Sequence, residues 1–153
     1  MSAVYIHYGS TEYDSSKFQP IKNKDILCKP EGGLWGSPVG CAYGWKEWCE
    51  SSQFTECNES NSFKFGISDN ANILRISSVS DLDGLPRFEK QFISFSSWIV
   101  LDFEKMLLDG VDAIELNISG DESEDALDCL YFKLYGWDCD SVLVMNKDVI
   151  IEC

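Results

Sequence analysis

A single histidine, His7, serves the whole 153-residue chain, which also holds only four prolines and sets 12 basic residues against 26 acidic ones. Each scarcity removes something. With one imidazole, a nucleophile–histidine set has only one place to form, and no Ser-His-Asp or His-Cys pattern stands out around it. The shortage of lysine and arginine leaves a formal charge of −14. Such a surface repels phosphate backbones, so nucleic-acid binding is not expected. No apolar run nears the roughly 20 residues of a membrane span. The opening MSAVYIHYGS has neither the basic nor the apolar segment of a secretion signal, and a cytoplasmic protein without a membrane partner is expected. Seven cysteines include no CxxC pair and read as reduced thiols. Cys41, Cys49 and Cys57 recur at equal spacing, but zinc sites draw on close ligand pairs and a fourth ligand. No metal site is therefore expected. Gly32, Gly33 and Gly36 match neither a G-x-G-x-x-G nor a P-loop.

What is present fits one folded unit over residues 1–153. Hydrophobic residues make up 44% and aromatics 13%, enough for a real core at this length. Ala3 to Tyr8 reads as a strand ending at Gly9, and residues 10–31 as a long irregular connection. Leu34-Trp35 forms a short strand between glycines. Pro38 is expected near the start of a helix running through Ala42, Tyr43, Trp45, Lys46 and Trp48. Phe63 to Ile67 and Ile73 to Ile76 are strands around the turn-prone Asp69–Asn72. Ser80–Asp83 makes a helical turn that stops at Gly84-Leu85-Pro86. Ile99, Phe103, Met106 and Leu107 predict a helix over Trp98–Leu108, capped by Ser96 or Ser97 and ended by Gly110. Val111–Ile118 follows that helix, and at the end of the chain Ser141–Met145 and Val149–Ile151 are strongly β. The pattern gives an α+β fold, mostly antiparallel, with flanking helices.

Two clusters carry chemistry. His7-Tyr8-Gly9 closes the first strand, and Gly32-Gly33-Leu34-Trp35-Gly36-Ser37-Pro38 leads to Ala42-Tyr43-Gly44-Trp45. Glycines admit a ligand close to backbone and aromatics supply stacking faces, so a flat, polar ligand fits this pairing. Taken singly, each residue has a plainer use: His7 as a structural hydrogen-bonding group, the aromatics as core, Ser37 as a helix cap. Asp138 and Asp140 precede the last buried strand, where they either solvate a loop or act on a ligand. Asp121-Glu122-Ser123-Glu124-Asp125 with Asp128 reads as a solvated acidic loop.

The order of these segments resembles the ADP-ribosyltransferase fold, and within it the histidine-bearing branch that includes diphtheria-type toxins and poly(ADP-ribose) polymerases. Tyr5-Ile6-His7-Tyr8-Gly9-Ser10 is similar to that branch's first motif. Gly33–Ser37 through Ala42–Trp45 is similar to its second, and Leu108-Asp109-Gly110-Val111-Asp112-Ala113-Ile114 to a segment common in such domains. Asp138-Cys139-Asp140-Ser141-Val142-Leu143-Val144 resembles the last motif, in which an acidic residue opens a core strand. The family's acid is usually Glu, whereas this chain offers Asp.

The resemblance implies a split, mostly antiparallel sheet and NAD as substrate, with ADP-ribose passed to a protein, a host or defence factor. It implies Asp140 first and Asp138 second as the carboxylate that steadies the oxocarbenium-like ribose. His7 would hold the adenine-side ribose, Gly9, next to Tyr8, would approach the nicotinamide amide, Trp35 and Tyr43 would flank the ring, and Ser37 would support the acid. The competing reading is a non-enzymatic acidic protein, of the kind a phage or mobile element encodes, binding a basic surface on a host factor. The charge favours that reading directly.

Overall fold

Alternation along the strands decides the architecture. In a computed structural model of the chain, which describes residues 3–24, 28–88 and 98–153, seven strands form one sheet. They are β1 (Val4–Tyr8), β2 (Leu34–Pro38), β3 (Ser62–Ile67), β4 (Ile73–Ile76), β5 (Ala113–Leu116), β6 (Ser141–Val144) and β7 (Ile150–Glu152). Their order is β4-β5-β6-β2-β1-β3-β7. Every pairing is antiparallel except that of β4 with β5. The chain is thus a single mostly antiparallel α+β domain with few helices.

Strand β2 belongs to both halves of the sheet. Leu34, Trp35 and Gly36 pair with Val144, Leu143 and Val142 of β6, whereas Ser37 and Pro38 pair with Ile6 and Tyr5 of β1. Residues of alternate parity on the two halves then meet in one core layer, with Tyr5, Phe65 and Ile67 against Ala113, Val142 and Val144. The Tyr5 hydroxyl donates to Glu115 Oε2 at 2.6 Å across that layer. The opposite parity, Ile114, Leu116, Leu143 and Met145, faces a second layer with Phe103, Met106, Leu130, Leu134 and Trp137. Strand β6 is buried from end to end. That double coverage is why it reads as an unbroken apolar run rather than an alternating one.

The helices are short: α1 (Trp45–Ser52), α2 (Phe103–Leu108) and α3 (Leu130–Lys133). Two starts differ from expectation. Pro38 ends β2 opposite Tyr5, and α1 begins only after Gly44. Pro cannot donate a ladder hydrogen bond, so a strand end suits it as well as a helix start. The predicted helix over 98–108 begins at Phe103, because Asp102 Oδ1 caps it by accepting the Lys105 N–H at 3.0 Å. Ile99 to Leu101 run extended instead. The Ile99 N–H donates to the Lys133 carbonyl and the Val100 carbonyl accepts from Phe88, and all three side chains are buried. Ser96 and Ser97, expected as caps, lie outside the described residues. Leu130 to Lys133 forms one helical turn, and Val79–Leu82 a 3-10 turn where a helical turn was expected. Among the described residues no helix is long and apolar enough to cross a membrane.

Candidate functional site

The sheet forks where β1 and β2 part. Their pairing ends at Ile6 and Ser37. Beyond it β1 continues with His7 and Tyr8 along β3, while Gly36 and Trp35 turn to β6. A cleft of about 300 Å³ opens in that fork. Close approach at its floor requires glycine: a Cβ on Gly36 would stand 2.8 Å from the Phe65 ring and 3.0 Å from the Ile6 carbonyl.

His7 is held across the fork. Its Nδ1 lies 2.7 Å from the Trp35 carbonyl, and a carbonyl only accepts, so Nδ1 carries the proton. In the tautomer protonated at Nδ1 alone, Nε2 is a hydrogen-bond acceptor. Its face stacks on Phe63 with ring centres 5.0 Å apart. Trp35 lines the cleft while packing edge-on against buried Trp137, 4.9 Å away. These contacts lock both side chains before any ligand arrives.

Charge enters from the opposite wall. Asp138 and Lys29 both line the cleft. Burial pushes the Asp138 carboxyl above the usual carboxylate range, and Lys29 opposes that shift. Burial likewise pulls the Lys29 ammonium below the usual lysine range, with Asp138 and Cys139 working against it. The ammonium sits over two indoles, 5.1 Å from the Trp35 ring centre and 5.7 Å from that of Trp45. Both charges are set in place by one bond between their neighbours, in which Trp137 Nε1 donates to the Cys28 carbonyl at 3.1 Å.

The structure brings His7, Tyr8, Trp35, Ser37 and Asp138 to the cleft. It does not bring Gly9, Tyr43 or Asp140 there. Gly9 follows β1 with φ +114° and donates its N–H to the Asn61 carbonyl. Asp140, the first choice for the acid, is 2% exposed. Its Oδ1 accepts from the Ser119 N–H at 2.8 Å, and Oδ2 accepts from the Ser119 hydroxyl at 2.6 Å and the Tyr43 N–H at 3.2 Å. Tyr43 O in turn accepts the Asp140 N–H at 2.8 Å. Asp140 thus pins the segment before α1 to the turn after β5, and Tyr43 is its partner rather than a wall of the cleft. Trp45 takes the place expected for Tyr43.

Ser37 has two duties. Its Oγ accepts the Trp45 N–H at 2.9 Å, holding the first turn of α1, and it lines the cleft beside the buried Cys139 thiol. Burial pushes that thiol up to about 12, so Cys139 lines the cleft as a neutral group. Ile6, Lys29, Pro30, Gly36, Trp45, Cys139 and Ser141 line the cleft without having been assigned to the site from the sequence. Among the described residues, no three His, Cys, Asp or Glu side chains gather as a metal site.

Comparison with family models, curated proteins and solved structures returns no match. The geometry of the cleft therefore carries the functional reading by itself.

Proposed function

We propose that this chain is an NAD-consuming ADP-ribosyltransferase whose acceptor is a protein with a basic surface. One observation carries the reading: His7 and Trp35 are joined at the fork of the sheet, with Asp138 on the same cleft. Two acceptors, His7 Nε2 and the Asp138 carboxylate, suit ribose hydroxyls, and the indoles of Trp35 and Trp45 suit a flat ring. The cleft has room for a nicotinamide riboside. An adjoining cavity of about 220 Å³ shares Ile6, Tyr8, Ser37 and Trp45 and would take the remainder of a dinucleotide.

In this reading the bond from ribose C1′ to the nicotinamide nitrogen breaks and its electron pair leaves with nicotinamide. Asp138, bonded to a ribose hydroxyl, steadies the positive charge on the sugar. An acceptor nucleophile then attacks C1′ and loses its proton to solvent. Asp138 is one methylene shorter than the family's usual Glu, so the ribose has to seat deeply. Burial of Asp138 serves this, because a desolvated carboxylate meets a developing cation with little screening.

The test is incubation with labelled NAD and a host lysate. Label should pass to protein with the native chain and not with Asp138→Asn, which keeps the shape and removes the charge. NAD at about 100 times its Kd should also stabilise the fold by about 2.7 kcal/mol. No label and no thermal shift would end the reading.

The acidity supports a second reading, an interaction protein that acts without chemistry. Glu122, Glu124 and Asp128 are exposed on the loop before α3, as a surface steering toward a basic partner would be. Such association should weaken as salt shortens the screening length below about 8 Å.

A further inference from the structure

A long basic side chain ordinarily buries its stem and sends its ammonium to water. Lys29 instead sends its ammonium into the cleft. Its backbone lies between buried Cys28 and Pro30, and the Cys28 carbonyl is tied to Trp137 Nε1. The side chain consequently runs into the cleft, where its ammonium rests over Trp35 and Trp45. Indole faces offer the charge some compensation but accept no conventional hydrogen bond. Among the described residues the ammonium has no hydrogen-bond acceptor and no carboxylate within ion-pair distance. Asp138 is close enough to influence it without bonding to it. Three N–H donors are therefore directed into the cleft with no acceptor from the protein among the described residues.

Such an arrangement costs the free protein stability, since desolvated donors are unfavourable unless paired. It also runs against the overall charge: a chain at −14 repels anions at long range, so an anionic ligand needs a cation at the point of contact. Among the described residues, Lys29 is the one lysine or arginine lining the cleft. Lys46 and Lys64 line the adjoining cavity together with Glu47 and Glu59, so the charges there offset one another and the cation available at the cleft is Lys29.

We propose that Lys29 is the anion-recognising residue of the cleft and that it binds a phosphate of a nucleotide ligand. The inference rests on the reading of the cleft as a nucleotide site but not on transfer chemistry. Lysine suits phosphate as a point charge with three rotatable donors. Trp35 and Trp45 hold the stem in place, so little rotamer freedom remains to be lost on binding. Asp138 and Lys29 divide the work: the carboxylate takes hydroxyls, and the ammonium takes the phosphate on its far side, away from the repelling carboxylate.

The experiment compares the native chain with Lys29→Met and Lys29→Arg in titration calorimetry. Methionine keeps the length of the side chain and its packing between the indoles, and removing a desolvated charge should leave the thermal midpoint unchanged or higher. The probes are nicotinamide riboside, nicotinamide mononucleotide, NAD, adenosine, ADP-ribose and inorganic phosphate. The native chain should favour each phosphorylated probe over its nucleoside, by about tenfold to a hundredfold for one charge-assisted contact. Lys29→Met should erase that preference and leave nucleoside affinity in place, while Lys29→Arg retains part of it. Inorganic phosphate alone should bind far more weakly than the nucleotides, because it lacks the ring and the hydroxyls.

A phosphate preference that survives in Lys29→Met overturns the proposal even if NAD is turned over. So does a native chain that shows no preference, or one that binds free phosphate as tightly as the nucleotides. Nucleotide binding that depends on Lys29 without any transfer of ADP-ribose upholds the proposal and sinks the transferase reading alone.

Discussion

Removing the Asp140 carboxylate should unseat part of the fold rather than stop chemistry. The group is 2% exposed and accepts three hydrogen bonds, two from the backbone N–H groups of Tyr43 and Ser119 and one from the Ser119 hydroxyl. Hydrogen bonds to a charged acceptor contribute about 1.5–3 kcal/mol each, but shared networks are not additive. In Asp140→Ala both backbone donors lose their partner. Ser119 is exposed, so water replaces part of what it loses. Tyr43 is half-buried and recovers less. The net cost is about 3 kcal/mol, which for a chain of this length lowers the thermal midpoint by about 6–12 °C. Asp140→Asn keeps one acceptor oxygen and should lose about half as much. Thermal unfolding followed by circular dichroism, with urea titration for the free energy, measures both. A midpoint within 2 °C or so of native in the alanine variant would refute the structural role. An asparagine variant of native stability that fails to use NAD would return the acid's role to Asp140.

Asp138→Asn should do the opposite, keeping or raising stability at neutral pH while removing NAD use. Because burial holds this carboxyl above its ordinary range, its contribution to stability is complete below the unfolded-state pKa and fades as pH rises through the folded one. Urea unfolding of the native chain and Asp138→Asn at acid and neutral pH would expose the sign, and a strongly destabilised neutral-pH variant would contradict it. On the proposed function, the acid limb of NAD turnover should then lie above the ordinary carboxylate pKa. With its thiol pushed up to about 12 and 3% exposed, Cys139 should resist iodoacetamide at pH 8 while exposed Cys153 reacts, as read by mass spectrometry. Trp137→Phe should cost about 0.5–1.5 kcal/mol by removing the indole N–H that donates to the Cys28 carbonyl. It should also weaken nucleotide binding by freeing the segment that aims Lys29; unchanged binding would deny that role.

Strands were legible because their signals are local. The runs at Val4–Tyr8, Phe63–Ile67, Ile73–Ile76 and Val142–Met145 state their own conformation through alternation or sustained apolar character. The meeting of His7 with Trp35 could be anticipated from glycines and aromatics at two strand ends, and the structure joins them by a hydrogen bond. Helix boundaries were harder. Ile99 to Leu101 satisfy helical spacing with Phe103, yet their backbone bonds go to Lys133, Phe88 and Arg87, far along the chain. Choosing between Asp138 and Asp140 was beyond the sequence for a related reason. Two acidic residues two apart before a strand differ only in which way each points, and Ser119 and Tyr43, which claim Asp140, give no local sign of it. Lys29 sits in an irregular polar connection whose course is set by the bond of Cys28 to Trp137, 109 residues away.

The double membership of β2 has a consequence for when the molecule becomes competent. Its ladder with β6 joins Leu34 to Val144, so half of the fork's floor has no partner until the chain has been made past that point. At a synthesis rate of roughly 5–20 residues per second, β2 waits several seconds on the ribosome for the strand that completes it. Through that interval β1, β2 and β3 can pair among themselves, yet Trp35, Lys29 and Asp138 cannot form a common wall. On the proposed function, a nucleotide would therefore meet no cleft on the growing chain and would stabilise only molecules that have closed the last crossing.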